Sequence, residues 1–131
     1  MASKQVDPAE MTQAVAAVAA WLEGEGVKPT RAQLAAACRT TARTLAQELP
    51  GHAVELRIPP FVAVQCVKGP RHTRGTPPNV VEMDPETWLR LATGLLLFDA
   101  ALSSPHVHAS GARAGEVARG LPVVSLSAVR R

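Results

Sequence analysis

The hydrophobic period of this chain changes at Pro50-Gly51, and that change limits the folds open to it more than any other feature. Before it, Met11, Val15, Val18 and Leu22, and then Leu34, Cys38, Thr41, Leu45 and Leu49, recur three and four residues apart, the spacing of one helical face. After it, Val54, Leu56 and Ile58 alternate with Glu55 and Arg57, the period of a strand buried on one side. The pattern predicts a helical pair over residues 1–50 and a sheet with covering helices over 53–126, together one domain across 1–131. A chain of this length buries roughly two-thirds of its unfolded surface, so a core forms without covalent staples.

Punctuation supports the division. Asp7-Pro8-Ala9-Glu10 reads as a helix start, with Asp accepting from an orphan amide and Pro at the first helical position, and Gly24 and Gly26 as the stop. Thr30 with Gln33 repeats the signal as a capping box. Asp84-Pro85-Glu86 opens a third helix, with Trp88, Leu91 and Ala92 as its inner face and Gly94 as its end. Phe61 to Val67 is apolar except at Gln65, which predicts a strand covered on both faces after the interruption at Pro59-Pro60. Short strands at Val80 to Met83 and His106 to Ser110, a helical turn or two within Leu95 to Leu102, a short helix around Ala114 to Arg119 and an apolar Leu121 to Leu126 tail complete the chain.

Several function classes drop out. Fourteen basic minus eleven acidic residues leave a formal charge of +3, and the chain lacks a continuous basic stripe interleaved with stacking aromatics, so nucleic acid is not an expected partner. Cys38 and Cys66 make no CxxC or Cys/His finger spacing, which fits a reduced, cytoplasmic setting. Asp7 and Glu10 stand where a secretory signal carries basic residues, and the apolar runs are too short for membrane insertion. Ser110-Gly111 is not a nucleophile elbow, and Glu55, Glu82, Asp84 and Glu86 offer no justified acid–base pair. Cys66 reads as a small buried hydrophobe. No catalytic residue, cofactor or metal is expected. His106 and His108 share a face at strand period, but zinc needs a further ligand from His52, His72 or Cys66, and nothing in their spacing demands one.

The most distinctive segment is residues 68–79, where Lys68, Arg71, His72 and Arg74 sit among Gly69, Pro70 and Gly75. Cations and approachable backbone amides there suit a carboxylate or phosphate, whereas the plainer alternative is pairing with local carboxylates. The P-loop spacing is absent. Trp21 and Trp88 read first as core residues, and Trp88 with Phe61 is also a candidate apolar contact for a ligand.

From Val80 onward the order is strand, Asp-Pro-Glu-Thr-Trp-Leu-Arg-Leu-Ala-Thr-Gly, a helical stretch with Ala100 and Ala101, then His106-Val107-His108-Ala109-Ser110-Gly111. This resembles the C-terminal half of the sterol carrier protein family. Residues 53–111, including Gly-Pro-Arg-His-Thr-Arg-Gly-Thr-Pro-Pro-Asn-Val-Val-Glu, look more narrowly like a group of small actinobacterial sterol-carrier-like proteins. The resemblance implies an α/β (α+β) fold with a mixed or antiparallel sheet, helices on one face, and an apolar cavity for a lipid, sterol or acyl chain. Residues 68–79 stand where the broader family has more sheet. The expected function is a non-enzymatic carrier or binding protein for a small apolar or acyl ligand, contacted by Lys68, Arg71, His72, Arg74, Phe61 and Trp88. The alternatives are a small enzyme or accessory domain taking an anionic substrate at 68–79, and a homodimerising protein using the apolar Leu95 to Phe98 run. Because the core is specified without a coordination site, chelation is expected to leave the thermal midpoint unchanged; a fall of many degrees in EDTA, restored by zinc, would make His106 and His108 ligands.

Overall fold

The computed structural model describes residues 5–69 and 79–129. Three helices begin at the capping signals. Helix α1 (Pro8–Leu22) starts where the Asp7 side chain accepts from the Ala9 amide. Helix α2 (Arg31–Glu48) has the complete capping box, the Thr30 hydroxyl accepting from the Gln33 amide at 3.1 Å and the Gln33 side chain from the Thr30 amide at 2.9 Å. Asp84 accepts from both the amide and the hydroxyl of Thr87 at the head of α3 (Pro85–Ala92). Each cap stabilises its helix by about 1 kcal/mol and fixes where the chain leaves the preceding segment.

Strands β1 (Val54–Ile58), β2 (Val62–Cys66), β3 (Val80–Met83) and β4 (Val107–Ser110) form one open sheet in the order β2-β1-β3-β4. The sheet is mixed: β1 runs parallel to β3, while β1–β2 and β3–β4 are antiparallel. Alternation sends Val54, Leu56, Ile58, Val81, Met83 and Val107 inward, and leaves Glu55, Arg57, Gln65, Glu82 and His108 on the opposite face. The helical layer covers the inward face. The shorter helices α4 (Phe98–Leu102) and α5 (Leu126–Val129), with a 3-10 helix at Ala114–Gly120, fill its margins. The α+β fold with an N-terminal helical pair is therefore the one anticipated from the period change.

The strand containing Phe61 to Val67 departs from expectation. It is an edge strand covered on one side only: Cys66 is buried, Val62 and Val64 are half-buried, and Ala63 and Gln65 are exposed. An apolar run cannot distinguish a strand covered on two faces from one covered on a single face, and here α2 packs on the covered face of the strand.

Close backbone approach joins the end of α2 to the end of β2. The Val67 amide donates to the Leu49 carbonyl at 2.7 Å, and the Ala53 amide donates to the Val67 carbonyl at 3.0 Å. Gly51 lies between them with φ of +144°, and a side chain there would collide with the Val67 backbone, so the helix-to-sheet turn requires glycine.

The main core gathers Val18, Leu22, Leu45, Leu56, Ile58, Leu89 and Leu91 around Trp88, which is wholly buried. Its indole Nε1 donates to the Thr41 hydroxyl at 2.8 Å, and that hydroxyl donates in turn to the Ala37 carbonyl at 2.6 Å. A second cluster packs Met11, Val15 and Ala19 of α1 against Leu126 and Val129 of α5. Thr41→Ala strands the indole N–H without a partner and is expected to cost about 1–3 kcal/mol in urea unfolding, with Thr41→Ser recovering most of the loss.

Candidate functional site

The cationic segment after β2 is held at its base by a polar clamp. Asn79 is buried: its side-chain amide donates to the Ala53 carbonyl at 2.8 Å, its Oδ1 accepts from the Arg113 amide at 2.9 Å, and its own carbonyl accepts from Glu55 at 2.9 Å. Arg113 closes the other side, donating through Nη2 to the Lys68 carbonyl at 2.7 Å and pairing with Glu116. Gly69 lies so close to the Arg113 guanidinium and the Ala53 side chain that a Cβ there would overlap both. One residue, Arg113, thus touches the chain where it enters the segment and where it leaves.

Hydrogen bonding from Arg113, and secondarily from Arg119, holds the Glu116 carboxyl below its ordinary value of 4.5; the same pair raises the Arg113 value.

Of the residues singled out from the sequence, Lys68 is exposed and meets Arg113 through its main chain. Arg71, His72 and Arg74 lie outside the described residues. Phe61 is half-buried beneath the Arg31 guanidinium, 5.3 Å from the ring centre, and its carbonyl accepts from Arg39 Nε at 3.1 Å. Trp88 faces Thr41 inside the core.

The two strand histidines do not converge. His106 precedes β4 and lies 4.0 Å from Asp84, whereas His108 is opposite Glu82 on the bare face. Among the described residues no group of three His, Cys, Asp or Glu side chains is arranged to hold a metal. His52 pairs with Gln65. Cys38 and Cys66 are free and buried, and burial pushes their thiols up to about 12 and about 11, which favours the protonated form.

Several grooves open on the described surface. The most apolar, about 310 Å³, is walled by Leu91, Leu96, Leu97, Phe98, Leu121 and Pro122, with Ala118 of the 3-10 helix and with Asp99 at its rim. A larger one, about 720 Å³, lies between the end of α2 and β2, with Ala46, Pro50 and Val64 beside Arg43, Gln47, His52 and Gln65. The third, about 370 Å³, runs over Pro59, Pro60 and Phe61 toward Arg57 and Glu82. Trp88 lines none of them.

The sequence reading missed Arg113, Glu116 and Asn79 as structural partners. Arg113 lies 45 residues from Lys68, and no local pattern marks such a contact. The apolar groove was half-visible, because the Leu95 to Phe98 run and the Leu121 to Leu126 tail were each noted without their meeting.

A mixed four-stranded sheet with helices on one face defines a small α+β fold. The family model described as the bacterial SCP ortholog matches residues 30–123, and the chain belongs to this sterol-carrier-like family. No curated protein matches the chain. No helix among the described residues is long and apolar enough to cross a membrane. Helices α1 and α5, which pack on each other, lie outside the matched span.

The clamp makes stability depend on acid. The Glu116 carboxyl binds its proton less readily in the folded state than in the unfolded one, so its contribution is present above about pH 4.5 and disappears as the pH falls through the lowered folded value. In urea titrations across that window, Glu116→Gln is expected to show a shallower loss of stability on acidification than the wild type.

Proposed function

We propose that the protein is a non-enzymatic binding or carrier protein for a small apolar or amphipathic molecule, acting in the cytoplasm. Membership of a sterol-carrier-like family supports the class of activity. The observation that supports a site is the groove between α3, α4 and the 3-10 helix, where Leu96, Leu97 and Leu121 present apolar surface and the buried Leu91 and Phe98 form part of the wall. Its volume of about 310 Å³ lies at the lower end of ligand-site volumes, about 300–1,000 Å³, so a small guest suits it best. Burying apolar guest surface there contributes about 25 cal/mol per Å².

The head group of such a guest is the second half of the proposal. Lys68, Arg71, His72 and Arg74 are proposed as its charged contact, on the strength of their pattern in the sequence. Asp99 at the rim of the groove works the other way and disfavours an acid. Acids and their neutral esters therefore separate the two contributions. Self-association is a second reading, favoured by the exposure of Leu95, Leu97 and Leu102, of which Leu97 lines this groove and is 74% exposed.

A thermal-shift panel of short-chain acids and matching esters tests the first reading. Ligand at about 100 times its Kd stabilises by about 2.7 kcal/mol. Ala118→Phe, which narrows the groove, is expected to abolish the shift. If the cations hold the head group, acids exceed esters by about 1.5–3 kcal/mol per charged hydrogen bond, and Arg71→Ala with Arg74→Ala removes that excess while leaving the unliganded midpoint in place. Equal shifts in both proteins would remove the cations from the site. Absence of any shift, with a clean dimer in native mass spectrometry that Leu97→Lys splits, would establish the second reading instead.

A further inference from the structure

We propose that the open edge of β2, with the row of arginines on α2 beside it, docks an extended acidic segment of a protein partner. The edge is defined by the ladder. The Glu55 amide donates to the Asn79 carbonyl, so Glu55 and Arg57 turn their backbone groups toward β3, and Val54, Leu56 and Ile58 turn theirs toward β2. Their register partners Cys66, Val64 and Val62 therefore spend their groups on β1, and Ala63 and Gln65 point theirs outward, while the Phe61 amide donates to the Ile58 carbonyl. The Phe61 carbonyl is taken by Arg39 and the Val67 amide by the Leu49 carbonyl. Between these two ends Ala63 and Gln65 are exposed, and among the described residues no group takes their outward donors and acceptors, which leaves them for an incoming strand.

Nothing within the strand guards this edge. Val62 to Cys66 contains no proline and no charge, the usual devices against strand addition. The opposite edge, β4, is shorter and carries His108.

The charge beside the edge selects the partner. Arg31, Arg39 and Arg43 are exposed on one face of α2, and among the described residues none is in an ion pair. They follow the strand: Arg31 and Arg39 meet Phe61, and Arg43 borders the groove that Val64 and Gln65 line. Arg39 and Arg43 are one turn apart, about 6 Å at 1.5 Å per residue. Alternate residues of a strand are about 6.6–6.8 Å apart, so carboxylates at alternate positions of an added strand come into step with the two guanidinium groups. The groove of about 720 Å³ continues the strip beyond Arg43 and accepts a further side chain.

A second copy of this chain is a poor occupant, because pairing β2 with β2 brings the arginine rows together. An anionic lipid surface neutralises the arginines but has no donors for the outward carbonyls. Acidic peptide satisfies both. This docking strip is independent of the apolar groove assigned to ligand.

The test uses the full chain and a labelled six-residue peptide of alternating glutamate and valine, read by fluorescence anisotropy and by amide hydrogen exchange. Binding is expected to weaken with salt and to slow exchange at Ala63 and Gln65. N-methylation of the two strand-facing peptide amides is expected to weaken it by roughly tenfold, as two lost hydrogen bonds require, and Ala63→Pro, which removes one donor, to weaken it less. Arg39→Glu with Arg43→Glu is expected to transfer preference to an alternating lysine–valine peptide. The N-methylated peptide keeps the test valid if a variant does not fold. Equal binding of the methylated peptide, no binding of the parent peptide, or binding of phosphatidylglycerol vesicles without the peptide would each overturn the proposal.

Discussion

A single buried hydrogen bond, from the Trp88 indole to the Thr41 hydroxyl, ties together the two helices that flank the central strands. Helix α2 leads into β1 and α3 follows β3, and these two strands are the parallel pair at the centre of the sheet. Parallel neighbours cannot be joined by a tight turn, so their register rests on what is packed above them. Trp88 and Thr41 are fixed there at no polar cost, since the hydroxyl also donates within α2 and no buried side-chain polar atom among the described residues lacks a partner. With aromatic content this low, one indole supplies volume that several Ala and Val side chains would otherwise have to fill.

The second constraint is polar and lies at the rim. Asn79 satisfies a β1 carbonyl and the Arg113 amide with one side chain, while Arg113 reaches back to the Lys68 carbonyl. The excursion from β2 to β3 therefore leaves and returns at a fixed place, directly above the start of β1.

Helix boundaries were legible because their causes are local: Asp7, Thr30 with Gln33, and Asp84 act within three residues of themselves. The alternation at Val54 to Ile58 was legible for the same reason. The two-sided burial expected of Phe61 to Val67 was not, because whether a strand lies at an edge is decided by its neighbours. Arg31, Arg39 and Arg43 stand at helical spacing in the sequence, yet they became a row only when α2 was seen to run along that edge. The Arg113 clamp and the apolar groove join segments far apart in the chain, and no short-range pattern encodes either.

A sheet with helices on one face must place binding surface at its margins when its middle is filled. Trp88, Leu89 and Leu91 are each buried to within 1% of completely, so a guest between sheet and helices at that level would have to displace them. Opening such a space forfeits packing worth about 3–5 kcal/mol for an aromatic side chain, which a small apolar guest recovers only in part. Leu96, Leu97 and Leu121 instead line a groove that is already open at the end of the same helix. The wholly buried indole anchors α3, whose end forms one wall of the apolar groove.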